Sequence, residues 1–192
     1  SAIVIIIMIN KSRGKTLIAK FKPTWMVDTV YNISPTQLKE HGIKAVLSDL
    51  DNTLIAWNNP NGTPELRKWM ADLHQAGIPL IVVSNNSAKR VSKAVRNLNL
   101  PFVSRSLKPL SFGITTARKR LGLKKSEVVM VGDQLMTDML AANTAGVRSI
   151  LVKPLISTDK WDTQINRFFE KFVMKDLQKK YPNMKWQEDL ND

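Results

Sequence analysis

The stretch Ala45-Val-Leu-Ser-Asp49-Leu-Asp51-Asn-Thr53-Leu constrains this chain more than any other, because a run of β-forming apolar residues stops abruptly at two carboxylates one residue apart. Such a run reads as a buried central strand of an α/β sheet that delivers chemistry at its carboxyl edge. Side chains alternate along a strand, so Asp49 and Asp51 are expected on one side and Leu50 on the other. Two like charges in so small a volume require a trapped proton or a cation such as Mg2+. The pair also suits a division of labour, one carboxylate attacking and the other handling protons.

Further apolar runs follow at 79–84, 102–103, 128–131 and 147–152, each read as a strand. Between them lie helical patterns. Thr63-Pro64-Glu65 combines an N-cap, a proline at the first helical position and an early acid, opening a helix that Gly77 stops. Residues 87–98, 111–121 and 136–144 are the other expected helices. Strands alternating with helices at this spacing predict an α/β fold with a mostly parallel, doubly wound sheet. Right-handed crossovers then bring every strand's carboxyl end to one edge, and Asp49, Ser84 and Asp133 all fall just after such ends.

The expected organisation is an N-terminal extension (1–42) packing on the core, a catalytic core (43–155) and a C-terminal amphipathic helical segment (156–192). In that last segment Ile165, Phe168, Phe169, Phe172, Val173 and Leu177 recur at helical spacing among lysines and arginines. This stripe fits a helix covering the sheet or one lying on an anionic membrane. The run Ile3 to Ile9 is too short to cross a hydrocarbon core and no basic segment precedes it, so the chain reads as cytoplasmic, with peripheral attachment to the inner membrane face left open.

Composition narrows the chemistry. The absence of cysteine excludes disulfides, thiolate catalysis and thiolate zinc sites. His41 and His74 stand in helix-like polar contexts far from the acidic motifs and read as surface or packing residues. Metal binding must therefore rest on oxygen, which favours Mg2+. A net charge of +13 favours polyanionic partners: a phosphorylated substrate, an anionic lipid surface or nucleic acid. No aromatic nucleotide-binding signature supports the last of these.

Four clusters together, Asp49-Leu-Asp-Asn-Thr53, Ser84-Asn85-Asn86, Lys108-Pro109 and Gly132-Asp133-Gln-Leu-Met-Thr-Asp138, resemble in order the four signatures of haloacid dehalogenase-type (HAD) phosphatases. More narrowly, the chain resembles their capless YqeG-type branch of subfamily IIIA, related to phosphatidylglycerophosphate phosphatases. The resemblance implies Asp49 as nucleophile, forming an aspartyl-phosphate, and Asp51 as the acid that protonates the leaving oxygen and then activates water. It implies phosphate binding by Ser84, by Asn85 through its backbone, by Lys108 and by Thr53. It places Mg2+ on Asp49, Asp133 and the backbone carbonyl of Asp51, with Asp138 positioning the metal or its waters. Ser48 departs from the family's usual bulky apolar residue before the nucleophile. Taken singly, Ser84 and Asn85 also read as a helix cap, Lys108 as a surface lysine, Asp133 as a turn acid and Asp138 as a helix-start acid.

Only 32 residues separate Asp51 from Ser84 and 23 separate Ser84 from Lys108, too few in either gap for a cap domain. An open site favours a large substrate or a surface that completes it. Trp57 is placed to line the entrance or to pack. The expected activity is Mg2+-dependent phosphomonoester hydrolysis, on phosphatidylglycerophosphate or another large substrate. Alternatives are a soluble metabolite or nucleotide phosphatase, and an RNA-, ribosome- or GTPase-associated binding protein with a secondary phosphatase site.

Overall fold

In the computed structural model, which describes residues 18–56, 58–59, 61–156 and 161–191 with the side chains of 161–168 excepted, the Ala45–Ser48 run is a strand buried at every position. The apolar run at 3–9 and Trp57 lie outside the described residues. In chain order the strands are β1 (Trp25–Val27), β2 (Ala45–Ser48), β3 (Leu80–Val83), β4 (Phe102–Val103), β5 (Val128–Gly132) and β6 (Arg148–Val152). The helices are α1 (Pro35–Glu40), α2 (Pro64–Gln75), α3 (Ala88–Val95), α4 (Phe112–Arg120), α5 (Leu140–Ala145) and α6 (Trp161–Lys180).

All six strands are parallel, in the order β1-β6-β5-β2-β3-β4. The chain moves outward from β2 to β4, then returns to the other flank of β2 as β5. That reversal opens a crevice between the carboxyl ends of β2 and β5, where doubly wound sheets bind ligands. The Asp49 amide donates to the Val131 carbonyl at 2.9 Å and locks the two strand ends together.

Strand alternation sorts the core into layers. Val46, Val82, Val129 and Val131 face α2 and α3, meeting Leu66, Trp69, Leu73, Val91 and Val95. Ala45, Leu47, Ile81, Val83 and Met130 face α4 and α5, meeting Ile114, Ala117, Ala141 and Ala142. A third cluster joins Phe21, Met26, Leu135, Met136, Met139 and Leu151 to Val173 and Leu177 of α6. The described apolar face of α6 is thus taken up by the sheet, although Phe172 stays half exposed.

Both flanking segments join the sheet edge. Trp25–Val27 pairs with β6, and the Gln187 amide donates to the Met26 carbonyl at 2.8 Å. No described helix is long and apolar enough to cross a membrane. Among the described residues there is no cap domain: one small turn and α2 fill the first gap, α3 and β4 the second.

Candidate active site

Lys108 is the centre of the site. Its side chain is 3 % exposed, and its ammonium lies 2.6 Å from Asp49 Oδ1 and 2.8 Å from Asp138 Oδ1. Burial alone would push a lysine's pKa down, but the Asp138 and Asp49 carboxylates more than reverse that, so the ammonium is held above its ordinary value. Lys108 stays charged at any physiological pH. The surface-lysine reading does not survive this geometry.

Asn85 holds the lysine in place. Its Oδ1 accepts from the Lys108 amide (2.7 Å) and the Ser106 hydroxyl (2.8 Å), while its Nδ2 donates to the Lys108 carbonyl (2.9 Å). The side chain expected only to lend its backbone to phosphate is therefore a clamp on the neighbouring loop. Ser84 is buried beside it, its hydroxyl accepting from the Asn86 amide at 3.2 Å. The cap of α3 is Ser87, which leaves Ser84 and Asn85 at the strand end.

Asp133 and Asp138 both come from the turn after β5. Asp133 Oδ1 accepts from the Thr53 hydroxyl at 3.1 Å, so Thr53 braces a carboxylate here. Asp138 sits in a one-turn π-helix (Leu135–Met139), opened by a bond from the Met139 amide to the Gln134 carbonyl. Wide turns of this kind are frequent at functional sites. Asp138 Oδ2 accepts from the Gln134 amide, and a methyl group built on Gly132 would overlap that same carboxylate. Burial pushes the Asp138 carboxyl up to about 6, the nearby Lys108 opposing and Asp49 adding to the rise.

Oxygen atoms of Asp49, Asp133 and Asp138 lie within 4.8 Å of one another. Three carboxylates against one ammonium leave an excess of negative charge in an oxygen-only donor set. That set fits a hard divalent cation such as Mg2+.

Asp51 is turned elsewhere. Its side chain is 45 % exposed, with Oδ2 accepting from Asn86 Nδ2 at 2.8 Å and Oδ1 3.5 Å from the Arg90 guanidinium. β2 ends at Ser48, so strict alternation stops short of Asp51, while Leu50 is buried. A positive φ at Asn52 and a bond from its amide to the Ile55 carbonyl turn the chain back over the edge. Ser48, the family departure, is fully buried with its hydroxyl donating to the Asp49 carbonyl at 2.8 Å. Asn86 and Gly132 stand within the sequence clusters but carry no role of their own there, and Arg90 lies outside them. The signal for Gly132 was its place directly before Asp133; nothing in the spacing pointed to Arg90.

Beyond Asp133 a groove of about 380 Å³ runs between β6 and α6. Leu135, Leu151, Met174 and Trp186 line it, and Lys153, Lys171 and Lys175 give it a cationic side.

Comparison with known proteins shows which family carries this parallel sheet and its aspartate cluster. The HAD-hydrolase-like family model matches residues 107–179. The chain is 38 % identical over 168 residues to the protein named probable phosphatase YqeG of Bacillus subtilis, covering 88 % of this chain and 97 % of that one. It therefore belongs to the HAD-like hydrolases, as a phosphatase of that family. A weaker match, 28 % over 105 residues, is to the ribulose-1,5-bisphosphate 5-phosphatase of Halopiger xanaduensis, spanning 50 % of this chain and 44 % of that one. Among solved structures, 4-nitrophenylphosphatase from Thermotoga maritima shares the fold with a TM-score of 0.52 at 13 % identity, over 66 % of this chain and 91 % of that one.

Proposed function

We propose that this phosphatase hydrolyses a phosphomonoester through an aspartyl-phosphate on Asp49, with Mg2+ at the aspartate cluster, and that its substrate is phosphatidylglycerophosphate or a similarly large amphiphilic phosphate. The observation that carries the reading is the buried ammonium of Lys108 seated between Asp49 and Asp138 at an uncapped sheet edge. A carboxylate fixed against an ammonium is oriented for in-line attack, and the same cation offsets charge on the phosphoryl group as it transfers.

In the first half-reaction Asp49 forms a bond to phosphorus as the ester P–O bond breaks, and Asp51 gives its proton to the departing oxygen. In the second, Asp51 takes a proton from water, whose oxygen attacks phosphorus; inorganic phosphate leaves and the Asp49 carboxylate is restored. The solvent-facing position of Asp51, held by Asn86 and Arg90, suits a group that exchanges protons with substrate and water. Asp49, Asp133 and Asp138 would hold Mg2+, which when bound supplies further charge neutralisation at the phosphoryl oxygens. Ser84 and the amides of the following turn are assigned to phosphoryl oxygens.

Support for an amphiphilic substrate comes from the open edge and from the apolar, lysine-sided groove beyond Asp133. A second reading, a soluble sugar phosphatase, is favoured by the match to a bisphosphate 5-phosphatase. Phosphate release from phosphatidylglycerophosphate in mixed micelles, with and without chelator, tests the first. Wild type is expected to release phosphate only with Mg2+, and Asp49→Asn to release none. Turnover of soluble sugar phosphates without lipid turnover would leave Asp49 in its role and discard the lipid.

A further inference from the structure

Of five large apolar side chains that stand well exposed among the described residues, three fall within six positions: Leu107 (55 %), Leu110 (57 %) and Phe112 (57 %). Leu107 and Leu110 flank Lys108 on the loop between β4 and α4, and Phe112 is the first residue of α4. Isolated exposed apolar residues need no explanation, but a cluster beside a catalytic group does.

The loop is not loosely placed. Ser106 and Lys108 point inward to Asn85, and the Gly113 amide donates to the Ser106 carbonyl at 3.0 Å, leaving Leu107 between two anchored neighbours with its side chain outward. Leu107 has φ +58°, a left-handed backbone that favours glycine or asparagine. A bulky residue held there by its surroundings points to use at a site. The Leu110 amide donates to the Leu107 carbonyl at 2.8 Å, so the two leucines are the ends of one tight turn, with Phe112 opening α4 just beyond.

Charge is distributed to match. Besides the buried Lys108, the chain between Asp72 and Glu127 carries ten lysines and arginines and no carboxylate. This segment builds β3, α3, β4 and α4, the half of the molecule that bears the exposed trio. Lys89 and Arg90 stand in the first turn of α3, while the Arg105 amide bonds the Asn86 carbonyl beside the site.

We infer that the β4–α4 loop and the basic half around it form a docking face for an anionic lipid bilayer, with Leu107, Leu110 and Phe112 entering the headgroup boundary and the Lys108–Asp49 edge held toward the membrane. Basic residues supply attraction to anionic headgroups, and the apolar trio supplies insertion. Nucleic acid would satisfy the charge, but phosphate contacts make no use of two exposed leucines. The inference extends the lipid-phosphate reading, yet its readout does not depend on turnover.

Co-sedimentation with phosphatidylcholine vesicles containing 0 or 30 % phosphatidylglycerol, at low and physiological salt, tests it. Wild type is expected to bind the anionic vesicles at least tenfold more strongly than the neutral ones. The pair Leu110→Ser/Phe112→Ser, with an unchanged unfolding midpoint, is expected to lower that affinity at least tenfold, and Lys89→Glu/Lys93→Glu to remove its dependence on phosphatidylglycerol. Equal pelleting of the serine pair and wild type overturns the inference, as does wild type that binds a 30-nucleotide RNA but no vesicles. Asp49→Asn is expected to pellet like wild type. Vesicle binding without phosphate release from the lipid would discard the substrate and keep the face; phosphate release from the lipid in micelles without vesicle binding would keep the substrate and overturn the face.

Discussion

At the scale of single residues the site is a contest between burial and charge that settles differently at each group. Lys108 gains two carboxylates and keeps its proton. Asp138 is nearly inaccessible and sits with its carboxyl near 6, above the ordinary 3.8, because burial outweighs the single ammonium beside it. A carboxyl with a raised folded-state pKa contributes stability that is complete below about 4 and is lost as pH rises through about 6. In the presence of chelator, wild type is therefore expected to lose stability relative to Asp138→Asn between pH 4 and 6 and to run parallel to it above pH 7, as read by urea unfolding. Wild type that instead gains stability relative to Asp138→Asn as pH rises would show that Lys108, and not burial, governs this carboxyl. Asn85 illustrates what spacing could not reveal: its position after β3 was legible, but its three bonds to residues 106 and 108 depend on a loop 21 to 23 residues away.

At the scale of elements, the five strands from β2 to β6 were legible because each is a short apolar run bounded by turn residues, and their helices because caps and glycines punctuate them. β1 was not. Three consecutive buried residues, Trp25–Val27, show no alternation, and their partner β6 lies more than a hundred residues downstream. The π-turn also escaped, since its defining bond spans five residues within a pattern that otherwise reads as one helix from Met136 onward. That turn brings Asp138 onto Gly132 so closely that no β-carbon fits. Gly132→Ala is thus expected to displace the Asp138 carboxylate, to cost about 1–3 kcal/mol as an overpacked site, and to lower phosphate release at least a hundredfold. Urea unfolding and the release assay check the two parts; unchanged values in both would mean the turn yields without loss.

At the scale of the whole molecule, one edge of the sheet carries β4 and the basic half, and the other carries β1 and the tail. Leu190, 2 % exposed, lies in the core cluster that faces α2, while Asn191 bonds His41 and Glu40 near α1. If the tail belongs to the cooperative unit, Leu190→Ala costs about 2–5 kcal/mol, a drop of roughly 5–15 °C in the thermal midpoint for a chain of this length. Differential scanning calorimetry reads this directly, and an unshifted midpoint would separate the tail from the fold.

The backbone bond between Gln187 and Met26 has a practical meaning of its own. It pins the stretch around Gln187 to the rim farthest from β4, so a surface tether attached to that stretch departs from the far rim. A sensor chip loaded through such a tether would present the arginine- and lysine-rich side of the sheet outward.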